Sequence, residues 1–480
     1  MLTRRKFLGA SAAGLGALAF GRGCRPGGGP TVRPNFLFVL TDDQRFDTLG
    51  CAGNPIIRTP SVDRLAGDGI RFDRAFVTTP ICAASRASIL TGTYERTHTY
   101  TFTKPPLAPA FIDISFPVRL RRAGYRMGFV GKFGVAVDKG VPAEMFDFTD
   151  FDGLPHIQTI DGVERHMTEV EGERAIGFLR GLEPGRPFCL VWCPWAPHAD
   201  DDNPKQYFWP QAVDGLYRDV DIPVPEMAAP EYYDAQPAFL KNTMSRTRWG
   251  WRFDTPEKFQ EMVKGYYRMI SGVDMVLGRI RDELACLGLD RNTVVVYTSD
   301  NGYFLGERGY ADKWLMYEPS IRVPLVVYDP RAPRADRGLV RRDMVLNIDL
   351  GPTLMDLAGV PIPSQVQGRS LKPLLGRGTP IWRSEIFCEE LWDHPDIPQS
   401  ECVRTERWKY IRYPAHPEYE ELFDLAEDPD EKRNLAGDPG QARVLAELRE
   451  RCDRTIRCLL DDQAKIKEPQ NARNRPCGAA

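Results

Sequence analysis

Five continuous apolar runs, separated by helical patterns, limit the fold of this chain more than any other feature. The first run, N-F-L-F-V-L, shows no polar alternation, which is typical of a strand buried on both faces of a sheet. The longest helical pattern starts at Thr255-Pro256, a capping residue followed by proline, and ends near Gly288. This alternation predicts an α/β fold with a large mixed, mainly parallel sheet sandwiched by helices. The five runs are residues 35–40, 125–130, 188–193, 293–298 and 323–328.

The sequence pattern changes at about Trp382. Short strand-like pieces precede a last helical pattern over residues 441–460, which predicts a smaller antiparallel sheet packed with a C-terminal helix. We therefore divide the 480 residues into an N-terminal segment (1–30), a large α/β domain (31–380), a small α+β subdomain (381–462) and a tail (463–480).

The first residues indicate export rather than a membrane anchor. Arg4 and Arg5 form a twin-arginine pattern, and a Gly/Ala-rich, weakly apolar run from 9 to 20 follows it. This run is shorter than the ~20 apolar residues that a membrane span needs, so we predict a twin-arginine signal peptide and a periplasmic or extracellular protein. A disordered basic N-terminus is the alternative, and Cys24 is a weak candidate for a lipid anchor.

Charge and cysteine usage exclude several classes of protein. A formal net charge of −3 gives no reason to expect nucleic acid or an anionic membrane as a partner. None of the 11 cysteines forms a C-x-x-C pair, which argues against a zinc ribbon or a thioredoxin-like centre. Export would permit a disulfide between Cys388 and Cys402, and buried unpaired thiols are the alternative.

Polar residues follow four of the five predicted strands. Ligands of open α/β sheets bind beyond the carboxyl ends of the strands, so we expect these residues to converge on one crevice. Each residue taken alone could be only a helix cap or a turn residue. They are Asp42 and Asp43, Lys132, His198, and Asp300 with Asn301.

The oxygen donors of this set suit a hard cation. Asp42, Asp43, Asp300 and Asn301 supply three carboxylates and an amide, without a nearby histidine or thiolate. Such a set favours calcium, with magnesium second, over zinc.

Cys82 precedes small residues and an apolar stretch, so we expect a helix to start beside it. A helix N-terminus suits an anion or an anionic transition state. The residues alone leave open whether Cys82 is an activated thiolate or a buried structural cysteine.

The segment C-A-A-S-R-A-S-I-L-T-G at 82–92 resembles the signature of the formylglycine sulfatases, C-x-P-S-R-x-x-x-L-T-G, in the alkaline phosphatase superfamily. Four further segments, at 35–43, 122–132, 298–313 and 421–435, resemble the family's two metal-binding pairs, its two sulfate-binding lysines and its C-terminal signature. The resemblance covers essentially the whole chain after the export signal.

The resemblance implies an alkaline phosphatase-like fold and a sulfuric ester hydrolase. A separate formylglycine-generating enzyme would oxidise Cys82, and the hydrated aldehyde would bind the metal together with the four oxygen donors and attack sulfur. Arg86 would orient this group, and Lys132 and Lys313 would neutralise the sulfate oxygens. We choose His198 as the general acid, because its ordinary pKa lies near neutrality. The alternatives are a loop histidine for His198 and solvated surface charges for the lysines.

Three departures from the family pattern stand out. Gly134 replaces the histidine of G-K-x-H, Arg308 replaces that of G-E-H-G, and Ala84 replaces the signature proline. Two rival functions therefore remain: a formylglycine-type phosphonate or phosphodiester hydrolase, and a non-catalytic homologue with unmodified Cys82. A two-zinc phosphatase is disfavoured, because Asn301 and Gly302 follow Asp300 where a histidine ligand is usual. The expected substrate is a sulfated small molecule or glycan.

Overall fold

The computed structural model describes residues 33–467. The predicted export signal, Cys24 and the last 13 residues of the predicted tail lie outside this range. Among the described residues, no helix is long and apolar enough to cross a membrane.

An eight-stranded sheet forms the centre of the large domain. Asn35–Thr41 lies in its middle and pairs in parallel with Phe188–Cys193 on one side and Thr293–Ser299 on the other. Leu325–Tyr328 runs antiparallel to its neighbour Thr293–Ser299. The predicted mixed, mainly parallel sheet is therefore confirmed. The strands in spatial order are Leu339–Arg341, Ile70–Phe72, Leu325–Tyr328, Thr293–Ser299, Asn35–Thr41, Phe188–Cys193, Arg126–Gly131 and Phe148–Phe151.

The fifth apolar run does not form one strand. Arg322–Val323 pairs with Ala75–Phe76 in a separate small sheet, and the central sheet takes only Leu325–Tyr328. Pro324 lies between the two pieces and has no backbone N–H to donate to a sheet ladder, which accounts for the break.

Helices cover both faces of the sheet, and successive side chains of Asn35–Thr41 enter two different cores. Phe36, Phe38 and Leu40 belong to one core, while Leu37 and Val39 belong to the other. This alternation follows from the two-residue period of a strand, and it explains why residues 36–40 contain no polar position. Helices of the first core include Cys82–Thr91, Phe116–Arg122 and Leu350–Leu357, and those of the second include Pro60–Asp68, Met167–Arg180 and Pro256–Cys286.

The long helix Pro256–Cys286 begins as the sequence predicts. The Thr255 side chain accepts a hydrogen bond from the Lys258 N–H, and Gly288 adopts a φ of +68° just beyond the helix end.

The C-terminal part is a four-stranded antiparallel sheet with a helix, as predicted. Its strands pair in chain order, and the helix Ala442–Lys467 is longer than the pattern over 441–460 indicates. Cys388 and Cys402 lie opposite each other on neighbouring strands, but both are free thiols in the described chain, so the proposed disulfide is wrong and the buried-thiol alternative holds. The domain boundaries stay predictions. The strands are Glu385–Glu390, Ser400–Thr405, Trp408–Arg412 and Glu420–Asp424.

Candidate active site

The carboxyl ends of two adjacent parallel strands bring Asp42 and Asp43 close to Asp300 and Asn301. Thr41 and Ser299 are the last paired residues of their strands, and the Asp300 N–H donates to the Thr41 carbonyl at 3.1 Å. The Asp43 N–H in turn donates to a carboxylate oxygen of Asp300 at 3.2 Å. Because each acidic residue directly follows its strand, the sheet register alone makes them neighbours.

Cys82 is the first residue of the helix Cys82–Thr91, and its side chain faces these carboxylates. Its Sγ lies 3.2 Å from Oδ1 of Asp42 and 3.9 Å from Oδ1 of Asp43. A polar contact ties the helix to the strand end, because Ser85 Oγ donates to the Asp300 carbonyl, and Ser85 Oγ in turn accepts from Asn347 Nδ2 at 2.9 Å. The predicted helix start at Cys82 is confirmed.

The donor set fits a hard cation, but the expectation that no histidine or thiol lies nearby is wrong, because donor atoms of Asp42, Cys82 and His198 also lie within 4.8 Å of one another. One donor atom from each of Asp42, Asp43, Cys82 and Asp300 lies within 4.8 Å of the others, and all four residues are buried. Asn301 Oδ1 is also buried and has no hydrogen-bond partner among residues 33–467. Burial raises the pKa of Asp43 to about 6, and burial together with the charge of Asp42 raises that of Asp300 to about 7. Buried, crowded carboxylates of this kind are stabilised by a bound cation.

Each of the three carboxylates contacts one cationic side chain. Lys132 Nζ pairs with Asp42, Lys313 Nζ pairs with Asp43, and Arg86 Nε donates to Asp300 at 2.7 Å. Burial opposes these charges, yet the pKa values of all three cations are raised because the neighbouring carboxylates outweigh it.

Nearby cationic side chains also lower the pKa of Asp42. Burial alone would raise the pKa of Asp42, but the charges of Lys132, His198 and Arg86 hold it well below its usual range. Lys132 and Lys313 are only 7 % and 3 % exposed. The alternative that the lysines are solvated surface charges is therefore wrong.

His198 lies at the edge of this cluster. Its Nε2 is 3.6 Å from a carboxylate oxygen of Asp43, and its Nδ1 is 2.5 Å from the Ala199 carbonyl. A carbonyl oxygen only accepts, so Nδ1 carries a proton and Nε2 is the nitrogen that faces the site. Burial lowers the pKa of His198 to about 4.

The sequence patterns did not predict two residues of the site, Trp195 and His156. The Lys132 ammonium lies 4.2 Å from the ring centroid of Trp195, so the ring stabilises its charge by a cation–π interaction. His156 Nε2 lies 2.8 Å from the His198 carbonyl and holds that loop in place. Trp195 stands close to Pro197-His198 in sequence and could have been noted, whereas nothing in the sequence connects His156 to the site.

These elements match a known protein family. The family model described as Sulfatase matches residues 34–360, which include every residue named above in the site. The chain belongs to the sulfatase family. A second model, described as N-sulphoglucosamine sulphohydrolase, C-terminal, matches residues 306–457. The predicted resemblance and the predicted sulfuric ester hydrolase are thus confirmed.

This sulfatase is similar to several proteins of known activity or structure. It is 28% identical to an N-acetylglucosamine-6-O-sulfatase of Bacteroides thetaiotaomicron, over 95% of this chain and 92% of that protein. A solved structure of a protein in complex with that protein's own substrate, D-glucosamine-2-N,6-O-disulfate, has a TM-score of 0.76 at 25% identity and covers 91% of this chain and 100% of that chain. A phosphonate monoester hydrolase from Silicibacter pomeroyi has a TM-score of 0.73 at 24% identity, over 88% and 95%, which shows a shared fold.

The departures from the sulfatase pattern have separate structural explanations. Gly134 has a φ of +69° and packs against the Arg86 side chain. Arg308 does not take the place of a catalytic histidine, because its guanidinium lies 4.2 Å from the Tyr317 ring centroid and donates to the Glu431 carbonyl. Ala84 lies within the helix Cys82–Thr91 and is fully buried in a small apolar cluster.

The electrostatics of Cys82 argue against a thiolate nucleophile in this sulfatase. Burial and the charge of Asp42 raise the pKa of the Cys82 thiol well above its usual range. An activated thiolate needs the opposite shift, which a predominantly electropositive environment would produce.

Proposed function

We propose that this sulfatase hydrolyses sulfate esters of a glycan through a formylglycine made from Cys82, with one calcium ion as cofactor and magnesium as the second choice. The observation that carries the proposal is the position of Cys82 Sγ, 3.2 Å from Asp42 and inside a buried cluster of three carboxylates and three cations. A neutral thiol has little nucleophilicity, so a modified side chain is the better nucleophile here.

The proposed ligands of the ion are Asp42, Asp43, Asp300 and Asn301, together with the modified side chain of Cys82. When bound, a divalent cation supplies positive charge close to the reacting oxygens, and the hydrated aldehyde supplies the attacking oxygen. The unpartnered Oδ1 of buried Asn301 supports this assignment. Three carboxylates and an amide are the oxygen ligands that calcium prefers.

The side chains of the protein itself bind and polarise the sulfate. Lys132 and Lys313 are buried, hold their protons and approach the cluster from different loops, so both can neutralise sulfate oxygens. Arg86 is held by Asp300 and by the Lys132 carbonyl, to which it donates at 2.6 Å, and it orients the nucleophile. Fixed charges in a dry site need no reorganisation as the transition state forms.

We assign the general acid to His198. Its Nε2 faces the cluster, and Nδ1 is anchored on a backbone carbonyl, so a proton on Nε2 can be given to the leaving oxygen. A dianionic transition state beside the ring would raise its lowered pKa towards the working range.

The glycan preference rests on the relatives. The N-acetylglucosamine-6-O-sulfatase and the complex with D-glucosamine-2-N,6-O-disulfate both concern sulfated sugars. We therefore propose a sulfated saccharide as substrate and a formylglycine-generating enzyme as partner.

We also propose that the twin-arginine sequence exports the folded enzyme to the periplasm or beyond, with lipid attachment at Cys24 as a minor alternative. Replacement of Arg4 and Arg5 by lysine should keep the enzyme in the cytoplasm of the producing cell. Fractionation of those cells measures the result, and unchanged export would contradict the proposal.

The central test combines mass spectrometry with substrate comparison. Protein coexpressed with the modifying enzyme should yield a Cys82 peptide with the mass of formylglycine, and it should release sulfate from sulfated saccharides. Cys82→Ala should lose this activity while it keeps the same melting temperature. An unmodified Cys82 in active protein would refute the formylglycine proposal, and faster turnover of phosphonate or phosphodiester substrates would favour the rival hydrolase.

A further inference from the structure

A network of ion pairs adjoins the proposed sulfate-binding residue Lys313. Its members are Asp201, Arg248, Arg252 and Asp312, and each arginine contacts both carboxylates. Arg248 Nη2 is 2.8 Å from Asp201, and Arg252 Nη1 is 2.9 Å from Asp312. Arg252 and Asp312 are 0 % and 1 % exposed. The mechanism proposed above does not use any of these four residues.

The two arginines come from a single rigid element. They are four residues apart in the helix Met244–Arg252 and therefore project from the same face of it. Arg252 also donates to Oε1 of Gln206 at 2.7 Å and to the hydroxyl of Tyr303 at 2.8 Å. The guanidinium of Arg252 is thus fixed by two carboxylates, an amide oxygen and a hydroxyl.

The two carboxylates lie next to Lys313 and in the loop that carries His198: Asp312 ends the short strand Ala311–Asp312, directly before Lys313. Oδ1 of Asp312 is 3.5 Å from Lys313 Nζ. Asp201 follows His198 by three residues in the same loop. The network therefore links the proposed second sulfate-binding lysine and the proposed general acid to one helix.

The backbone around Lys313 needs such support. Asp312 has a φ of +75° and Trp314 a φ of +80°, so two non-glycine residues in the left-handed region flank the lysine. Each residue of this kind costs on the order of 1–2 kcal/mol and persists only where its surroundings hold it. The buried pairing of Asp312 with both arginines supplies that restraint on one side of Lys313.

We propose that Asp201, Arg248, Arg252 and Asp312 form a positioning network that aims Lys313 at the substrate sulfate and fixes the His198 loop relative to it. The proposal rests on the proposed function, because it takes Lys313 as an anion-binding residue. A buried ion pair adds little net stability compared with apolar packing, so its main effect here is on geometry.

A double-mutant cycle on the full-length calcium-loaded enzyme tests the network. Inorganic sulfate is the binding probe, titrated by calorimetry, and kcat and KM are measured in parallel. If Arg252 acts through Lys313, Arg252→Met should weaken sulfate binding about tenfold and lower kcat by more than it raises KM, because changes at coupled residues are not additive. In a Lys313→Ala background the same change should weaken sulfate binding by less than about threefold.

Two further variants separate positioning from folding. Arg252→Lys keeps one charge in place and should recover part of the lost sulfate affinity. Arg404→Met breaks another buried ion pair, that of Arg404 Nε with Glu318 at 2.9 Å, and should lower the melting temperature without changing the sulfate affinity of the folded protein. If Arg404→Met weakens sulfate binding as Arg252→Met does, or if Arg252→Met acts equally in both backgrounds, the network is merely structural.

The cycle also distinguishes the two proposals. A wild-type protein that binds sulfate with the expected coupling but hydrolyses no sulfate ester contradicts the proposed function and leaves the network in place. A wild-type protein that hydrolyses sulfate esters and shows no coupling supports the proposed function and refutes the network. Failure of the wild type to bind sulfate removes the role of Lys313 and overturns the network as well.

Discussion

Gly134 lies so close to Arg86 that no side chain fits between them. A Cβ on Gly134 would stand 2.8 Å from Cδ of Arg86, and the φ of +69° already disfavours any other residue. Arg86, which we propose to orient the nucleophile, thus occupies the space that a histidine side chain at position 134 would need.

We predict that Gly134→His does not add a useful base but lowers kcat/KM by at least about tenfold, because it displaces Arg86 and strains the backbone by ~1–2 kcal/mol. Steady-state kinetics with a sulfated saccharide measures the effect. Gly140→His is the matched control, since Gly140 has a φ of +97° and no atom within 4 Å of a Cβ among the described residues. A gain in activity with Gly134→His would show that the missing histidine limits the natural enzyme.

Asp300 connects the proposed cation site to the helix Cys82–Thr91. Its carboxylate accepts from Arg86 Nε, and its backbone carbonyl accepts from the Ser85 hydroxyl. Asp300→Ala should abolish calcium binding and reduce sulfate release by more than about a thousandfold, because it removes a ligand and leaves buried Arg86 unpaired. Calorimetric calcium titration and kinetics measure both effects.

Asp274→Asn is the control for that variant. Asp274 is a buried carboxylate of the long helix that accepts from the Ser61 and Val62 N–H groups, and it lies outside the cluster. It should bind calcium like the wild type. Normal calcium affinity in Asp300→Ala would mean that the cation site is elsewhere.

His198→Gln tests the general acid through its dependence on the leaving group. A sugar alkoxide leaves poorly without a proton, whereas nitrophenolate leaves without help. We therefore expect kcat/KM to fall by about 10²–10⁴ for a saccharide sulfate and by less than about tenfold for nitrophenyl sulfate. Equal losses on both substrates would contradict the acid role and favour a purely structural histidine.

The sequence predicts the central sheet and the convergence of the site because both follow from local patterns. Residues 36–40 are apolar without interruption, and Asp42 directly follows the strand Asn35–Thr41, so its place at the end of the strand needs no knowledge of the rest of the chain. The strand Glu420–Asp424 is difficult to predict for the opposite reason. Its buried Glu421 carboxylate accepts from the hydroxyls of Tyr317 and Tyr413, both at 2.7 Å, and Tyr317 is distant in sequence.

The network behind Lys313 could not be predicted for a similar physical reason. Nothing in the local sequence pattern connects Arg248 and Arg252 to the site, and only the folded chain shows that both side chains turn towards Asp312. Charged residues can be buried only with partners, and these partners lie about 50 to 60 residues away in the sequence. Sequence patterns report the burial of apolar residues far better than that of paired charges.

Glu318 gives the last prediction, on acid stability. Burial alone would raise the pKa of this carboxyl, but the charges of Arg404 and Lys409 outweigh it and lower the pKa from 4.5 to about 2. A carboxyl with a lowered pKa stabilises the fold above its unfolded pKa, and that contribution is lost as the pH falls. We expect the free energy of unfolding to drop by about 2–3 kcal/mol between pH 4.5 and 2 through this group.

Glu318→Gln removes the titrating group that ties the large domain to the C-terminal sheet. It should be less stable than the wild type at pH 7, because Arg404 and Lys409 stay buried with one carboxylate fewer. Its stability should also depend less on pH below 4.5, because glutamine has no carboxylate that can be protonated. Urea unfolding from pH 2 to 7 measures both, and Glu385→Gln, at a half-buried pair with Arg451, is the control. Parallel pH profiles for the wild type and Glu318→Gln would mean that this ion pair does not determine acid stability.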